Sequence, residues 1–409
     1  MTIKTSKIKY IGFYYCIIYT MTRACLGSLF GKLPFLLFIA ILCGYILAYI
    51  LTYTSQEQKI IKNNFYFGYT VYIAFILISV CVGKNSSIYA IYEYVFYLLW
   101  LFPVCYMING KNFENILWCY EIVGFILAIE AVWEFTTGNL PYRVSAEEQA
   151  IRRACGLVGT PLTLGMIFAC ITLIAIYRGL VVSKRHFIIA IFTFLGLLMT
   201  QSRGPIVGFS VGIVILGICE QYKRTGKIYN VFLKTILKII GFVLLIVIMF
   251  KVFENKIPFI GTIYSRIQTI TAWSGTDNSN ELRQHYWQVG IDYFKQYPIW
   301  GYGVSTSGTH SSTGINVESG VIKKLMETGI IGTLLYYGTF GSNFLVSIKK
   351  CIRKDVKYYP LAIAIIITIF VENIVLQIIE ASSTFMLFII FFTYLYVEGR
   401  KRNVAKSIE

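Results

Sequence analysis

The chain alternates between long apolar blocks and short polar segments. Blocks such as Ile239–Phe250 and Leu361–Phe370 contain no charged residue. Crossing the hydrocarbon core of a bilayer takes about 20 mostly apolar residues in a helix. Hydrocarbon cannot satisfy free backbone groups, so only helices and closed barrels span it. Barrel strands would alternate polar and apolar positions, and these blocks do not. The pattern predicts spans near residues 10–29, 33–53, 65–82, 88–108, 116–135, 161–177, 186–200, 205–221, 236–253, 329–348, 359–377 and 383–397. That is an all-α, polytopic integral membrane protein of about 12 transmembrane helices, with residues 1–409 forming one multi-spanning domain.

The polar segments between the blocks give an orientation. With the amino terminus in the cytoplasm, the inside segments carry Lys59 and Lys62, then Arg178, Lys184 and Arg185. Further along they carry Lys223, Arg224, Lys227 and Lys234, then Lys349, Lys350, Arg353, Lys354 and Lys357, and finally Arg400, Lys401, Arg402 and Lys406. Basic connections alternating with non-basic ones satisfy the positive-inside rule. Only the first span holds an arginine in its interior, Arg23; losing that span would put the amino terminus outside and leave the rest unchanged. The apolar stretch after Lys4, Lys7 and Lys9 has no small-residue cleavage site and reads as a retained anchor. Two outside segments result, residues 136–160 and a much longer loop, 254–328. Loops beyond about 15 residues are usually functional. No internal repeat, low-complexity tract or soluble domain is evident.

Composition agrees with this frame. Hydrophobic residues make up 56% of the chain and charged residues 14%, against roughly a quarter charged in soluble domains. The net charge of +17 raises the question of nucleic acid. The basic residues lie where they set topology, so nucleic acid is not an expected partner and the lipid bilayer is. Of the ten cysteines, Cys16, Cys43, Cys81, Cys105, Cys119, Cys170 and Cys219 fall within apolar blocks. No CxxC pair occurs, and they read as small apolar side chains.

Candidate chemistry gathers on the outside. Arg143, Arg152, Arg153, Arg203, Arg266 and Arg283 all lie there, against the topology rule. A guanidinium matches phosphate and carboxylate oxygens, so as a set these arginines suit a lipid pyrophosphate. The plainer alternative is that each pairs with a nearby acid or a headgroup. Arg203 sits in the tight turn Thr200-Gln201-Ser202-Arg203-Gly204-Pro205, where a charge at the membrane boundary is costly unless paired or functional.

The long loop contains Glu281-Leu282-Arg283-Gln284-His285-Tyr286-Trp287, then Tyr297-Pro298-Ile299-Trp300-Gly301-Tyr302-Gly303, His310 and Val317-Glu318-Ser319-Gly320. From Val321 the pattern turns helical, with Val321, Ile322, Leu325, Met326 and Ile330 on one face and Lys323, Lys324 and Glu327 on the other. This predicts an amphipathic helix along the outer surface leading into the next span. Ser319 can cap it, and acids are favoured at that end. Glu318 is then either a cap-region acid or a general base taking a proton from a sugar hydroxyl. His285 and His310 also lie outside, His310 in a Ser/Thr/Gly-rich stretch as fitting for a mobile loop residue as for a catalyst. Tyr286, Trp287, Tyr293, Tyr297, Trp300 and Tyr302 either stack on sugars or form an interfacial aromatic belt. No Asp-x-Asp, His-Glu-x-x-His or P-loop appears. A reaction here would use no cofactor, nucleotide or obligatory metal, and its leaving group would already be activated.

Between roughly Arg152 and Ser347, within 150–347, the chain resembles the O-antigen polymerase/ligase family, the Wzy-type membrane glycosyltransferases. The pieces, in order, are Arg153…Gly156…Thr160-Pro161-Leu162-Thr163-Leu164-Gly165, Leu198-Met199-Thr200-Gln201-Ser202-Arg203-Gly204, Arg283-x₃-Trp287 running into Pro298–Gly303, and Glu318-x₈-Glu327-Thr328-Gly329-Ile330-Ile331-Gly332. The resemblance implies a GT-C-like architecture whose long extracytoplasmic loop hosts the reaction at the outer face of the bacterial cytoplasmic (inner) membrane. It implies transfer of a glycan from undecaprenyl pyrophosphate to an acceptor sugar hydroxyl, in capsule or O-antigen synthesis, with chain-length regulator and flippase proteins as further partners. Arg203 and Arg283, with Arg153 and Arg266, would hold the donor pyrophosphate. Ligases carry a His-Asn pair where this chain has Glu318-Ser319. That departure favours a repeat-unit polymerase over a ligase and leaves the base open between Glu318 and His310. A transporter of lipid-linked oligosaccharide is the alternative from another class.

Overall fold

The computed structural model describes residues 2–52, 65–82, 85–91, 94, 100, 104, 107–108, 110–138, 153–226, 278–308 and 314–400. The predicted span 236–253, most of the predicted span 88–108, and Arg143, Arg152, Arg266 and His310 lie outside the described residues. Within them the structure is helical and contains no strand. In chain order the helices are α1 (Thr2–Met21), α2 (Arg23–Phe30), α3 (Leu33–Thr52), α4 (Phe65–Val82), α5 (Gly110–Thr137) and α6 (Pro161–Val181). They continue with α7 (His186–Met199), α8 (Arg203–Thr225), α9 (Asn278–Gln296), α10 (Gly320–Arg353), α11 (Tyr359–Val375) and α12 (Ser382–Arg400).

Length and composition make this a membrane protein. Asn112–Thr137, Pro161–Val181, Arg203–Thr225 and Ser382–Arg400 are each long and apolar enough to cross a bilayer. Tyr10–Met21, Phe67–Cys81, His186–Met199 and Tyr359–Val375 are shorter apolar helices. The chain uses local chemistry to start and stop them. Pro161 stands at the first helical position of α6, where its missing N–H costs nothing. Gly226 ends α8 in the left-handed conformation.

The first predicted span is corrected. Residues 10–29 do not form one helix: α1 stops at Met21, and the short α2 buries none of its residues. Arg23–Phe30 and Leu33–Ala48 then meet at 119°. Arg23 explains the break, because a guanidinium in mid-bilayer costs several kcal/mol and ending α1 before it leaves Arg23 at a helix end.

Helix α6 is the centre of the bundle and packs on α5, α7, α8, α11 and α12. Small residues let helices approach closely where no apolar–water contrast drives them together. Gly196 of α7 faces the Phe168 ring of α6. On α8, Gly204, Gly208 and Gly212 stand one turn apart on the face that meets Glu372 and Thr368 of α11. A methyl at Gly212 would lie 2.1 Å from Thr368 Oγ1, so α8 and α11 are in near-backbone contact.

One end of the bundle is rich in lysine and arginine. There Lys357 pairs with Glu114 at 2.6 Å, and Lys223 donates to the carbonyl of Lys357 at 3.1 Å. Lys354 donates to the Gly399 carbonyl at 3.0 Å. Towards that end, buried Glu121 is held between Arg178 and, at 2.9 Å, His186. The motif-bearing segments lie at the opposite end.

The helix leading into α10 forms, with Ser319 as its cap accepting from the Ile322 N–H. A break at Gly329 (φ 61°) separates it from the rest of α10. The break is closed by the Pro298–Gly303 turn. The N–H groups of Ile330 and Ile331 donate to the carbonyls of Pro298 (2.9 Å) and Ile299 (3.3 Å), and the Tyr302 N–H donates to the carbonyl of Met326 (2.7 Å). Gly301 (φ 83°) and Gly329 touch through backbone: a Cβ on Gly301 would lie 2.4 Å from the Glu327 carbonyl oxygen, and one on Gly329 would lie 2.3 Å from that of Ile299. The two glycine motifs are halves of one splice.

The expected polar face of this lead-in helix turns inward instead of outward. Lys323, Lys324 and Glu327 are buried, whereas Ile330 is 45% exposed. The charges find partners inside the protein, as described below, which offsets the desolvation that would otherwise exclude them.

Replacing Gly301 by Ala is expected to destabilise the protein, because left-handed backbone strain of about 1–2 kcal/mol adds to a backbone clash. A control, Gly338→Ala, meets nothing within 4 Å and is expected to hold or raise the melting temperature. Thermal unfolding of the two purified variants in detergent checks the splice; equal melting temperatures would refute it.

Candidate functional site

The site is built where four helix ends meet. The turn Thr200-Gln201-Ser202 joins α7 to α8 and is buried in all three residues. Gln201 has a left-handed backbone (φ 49°), a conformation uncommon outside glycine. Arg153 braces this turn: its Nε donates to the Thr200 carbonyl at 3.1 Å and its Nη2 to Ser202 Oγ at 2.9 Å. Ser202 Oγ donates onward to the Pro161 carbonyl at 3.1 Å. Arg203 follows as the first residue of α8 and is partly buried.

The loop that carries Arg153 is itself held by an acid that the sequence did not single out. Glu134 of α5, 1% exposed, accepts from the backbone N–H groups of Cys155 (3.0 Å) and Gly156 (2.8 Å) through one carboxylate oxygen. Glu130 lies one turn back, and a Cβ on Gly156 would come within 2.8 Å of its Oε2. The Glu130-x₃-Glu134 spacing on an apolar helix was the available signal.

On the other side, α9 lies against the lead-in helix, with Gly290 facing Val317 and Ile322. This packing brings Arg283 to Glu318, at 2.6 Å between Nε and Oε2, with about a quarter of each side chain exposed. Ser319 Oγ donates to the Ile374 carbonyl at 2.6 Å. Gly320 lies against Asn373 so closely that a Cβ would stand 2.3 Å from its Oδ1. The start of the lead-in helix is thereby fastened to the end of α11.

Glu372, on the last turn of α11, joins the two halves. Its carboxylate lies against Gly204, where a Cβ would be 2.1 Å from Oε1, and the charge of Arg283 acts on it. Glu372 is 2% exposed, and its Oε1 has no hydrogen-bond partner among the described residues. The same holds for both side-chain polar atoms of Gln201, 5% exposed. Unsatisfied buried polar groups are rare and costly in folded proteins. Two of them lie on either side of Arg203, Gln201 in the turn before it and Glu372 against Gly204 after it.

The expected donor-binding residues therefore separate. Arg153, Arg203 and Arg283 lie around this one region, Arg153 already engaged by the turn and Arg283 by Glu318. The sugar-stacking aromatics also divide. Trp300, 60% exposed, stacks parallel on Phe75 at 5.7 Å among exposed Ile299, Ile330 and Leu334, the arrangement of an interfacial belt. Tyr302 is in ring contact with Tyr293 and Tyr297, at 4.5 and 5.5 Å.

Residues 187–337 match the O-antigen ligase family. The resemblance read from the ordered motifs is borne out over that segment, which contains Arg203, Arg283, Glu318 and the glycine splice. Arg153, Glu134 and Glu372 lie outside it. No curated protein matches the chain.

Beside the site the buried face of the lead-in helix forms a second polar cluster. Lys323 and Lys324 each donate to Glu380, at 2.8 and 2.9 Å. Lys324 stands 3.5 Å from the Tyr94 ring centroid. Glu327 accepts from Tyr94 OH and, at 2.8 Å, from the Ser307 N–H. Glu380 lies in the turn between α11 and α12. Burial pushes its carboxyl upward, but the charges and hydrogen bonds of the two lysines outweigh that and hold it at about 2. Because the folded value lies below the unfolded one, this clamp stabilises fully above about pH 4.5 and is lost as pH falls towards 2. Glu380→Gln is expected to lower the neutral-pH melting temperature and to flatten its fall in acid, read from melting curves at stepped pH; a parallel acid limb in the variant would contradict the assignment.

Between α10, α11 and α12 lies a cavity of about 310 Å³ lined by aromatic and aliphatic side chains, among them Tyr337, Phe340, Phe344, Phe370 and Phe388. Its rim residue Tyr337 accepts a hydrogen bond from Asn373 at 3.1 Å, next in sequence to Glu372.

Proposed function

We propose that the chain polymerises a surface polysaccharide, transferring a glycan from undecaprenyl pyrophosphate to an acceptor sugar hydroxyl at the outer face of the bacterial inner membrane. The observation that carries this reading is the meeting of Arg203, Arg283, Gln201 and Glu372 at the bundle end opposite the lysine-rich one. In such a transfer the anomeric C–O bond to pyrophosphate breaks, and negative charge builds on the departing phosphate. Preorganised guanidinium groups stabilise that charge, and losing one such donor costs about 10²–10³ in rate. Arg153 stiffens the turn that presents Arg203. Glu318 orients Arg283, which leaves a base role for Glu318 in competition with that ion pair. The apolar cavity between α10, α11 and α12 suits a stretch of the donor's hydrocarbon chain.

A ligase reading remains beside it, because the matched family is described as O-antigen ligase. Glu318-Ser319 at the start of the lead-in helix speaks for the polymerase. The glycan profile of a deletion strain separates them: a lost polymerase leaves single repeats attached to the acceptor, and a lost ligase leaves unattached lipid-linked chains.

Arg203→Ala and Arg283→Ala are each expected to cut polymer yield by about 100-fold or more in a complemented deletion strain at unchanged membrane abundance. Wild-type polymer from either variant would end the pyrophosphate-site reading. Gly341 lines the cavity and has nothing within 4 Å of its Cβ position. Gly341→Phe is expected to fill the space, keep the fold, and weaken binding of lipid-linked glycan extracted from the deletion strain; unaltered binding would place the hydrocarbon chain elsewhere.

A further inference from the structure

We infer that Glu372 is the proton acceptor of the transfer. The inference rests on the glycosyl-transfer reading above and goes beyond it by naming the base. Three features of the carboxylate single it out. First, Glu372 is 2% exposed and its Oε1 has no hydrogen-bond partner among the described residues, whereas Glu318 is held by Arg283 at 2.6 Å. Second, the carboxylate is placed by backbone packing. The α8 stripe Gly204–Gly208–Gly212 lets α11 approach until Oε1 occupies the space of a Gly204 side chain. Third, Gly204 follows Arg203 in the chain, so the residue that seats the carboxylate adjoins an arginine of the proposed pyrophosphate site.

The step balances with the residues present. The acceptor hydroxyl gives its proton to a Glu372 oxygen as its own oxygen forms the new bond to the anomeric carbon. The bond from that carbon to the pyrophosphate oxygen breaks, and its electron pair leaves on the polyprenyl pyrophosphate held by the arginines. The proton passes from Glu372 to outside water as product departs. Neither metal nor nucleotide enters the balance. A buried base gains strength from exclusion of competing water, and general-base help is worth about 10²–10⁴ in rate.

The test uses the full chain in a complemented deletion strain and, purified in detergent, lipid-linked glycan extracted from that strain as the binding probe. Glu372→Gln keeps shape and removes the base. It is expected to lose polymer by about 100-fold or more while reaching the membrane at wild-type abundance and binding the probe as wild type does. Polymer at wild-type level from Glu372→Gln, with Arg203→Ala and Arg283→Ala inactive, would overturn the base and leave the site reading intact. Normal polymer from the arginine variants would instead remove the reading beneath it. As a second variant, Glu372→Ala at wild-type membrane abundance is expected to regain turnover with added formate, and failure of that rescue overturns the proposal.

Discussion

The contact between the backbones of Gly301 and Gly329 is the constraint on which the motif-bearing end of the molecule depends. A helix interrupted in or near hydrocarbon leaves N–H and C=O groups that lipid cannot satisfy. Here the freed groups around Gly329 are taken up by Pro298, Ile299 and Tyr302, at a separation only glycine permits. That splice fixes the angle at which the lead-in helix departs from α10. The angle decides which face of the helix turns inward, and with it the burial of Lys323 and Lys324 on Glu380. It also sets Ser319 and Gly320 on the end of α11, which carries Glu318 and its partner Arg283 to the neighbourhood of Glu372. Local backbone chemistry thus propagates into the electrostatics of the site along about three turns of helix.

The polar groups of the motif-bearing end divide into two kinds. Lys323, Lys324, Glu327 and Glu380 are mutually neutralised and hold the scaffold. Gln201 and Glu372 carry polar atoms that the protein leaves unmatched, and they flank Arg203. On the function proposed above, an incoming molecule would complete the hydrogen bonding of the second kind. Arg153 and Arg283 are braced by Thr200, Ser202 and Glu318, and on the proposed function that ordering would favour meeting a phosphate at a set position.

Much of this was legible in the sequence. The apolar blocks located most of the described helices, because burial in lipid demands a run of apolar residues whatever the tertiary packing. The ordered motifs, including Arg203, Arg283 and Glu318, pointed to one region, and the match over residues 187–337 covers it. What stayed hidden has physical causes. Arg23 fell within a stretch apolar enough to read as a span, and only the geometry reveals that α1 ends before it. Periodicity gave the lead-in helix its two faces, but a charged face is assigned to water by default; the acid that draws it inward, Glu380, lies more than fifty residues away in sequence. Glu134 and Glu372 lie in apolar helices away from the ordered motifs and were not singled out from the sequence. The four-residue spacing of Gly204, Gly208 and Gly212 was the clue to the helix pair that brings Glu372 forward.

The brevity of α7 carries a consequence for the surrounding lipid. Its 14 residues, His186–Met199, rise only about 21 Å, against a hydrocarbon core of about 30 Å. The turn that follows it, with Arg203 at its end, is therefore recessed below the level of the flanking headgroups unless the bilayer thins there. Hydrophobic mismatch of this kind draws the leaflet down around a short helix. On the function proposed above, a dimple at that point would lower a lipid-borne phosphate to the depth of the guanidinium groups.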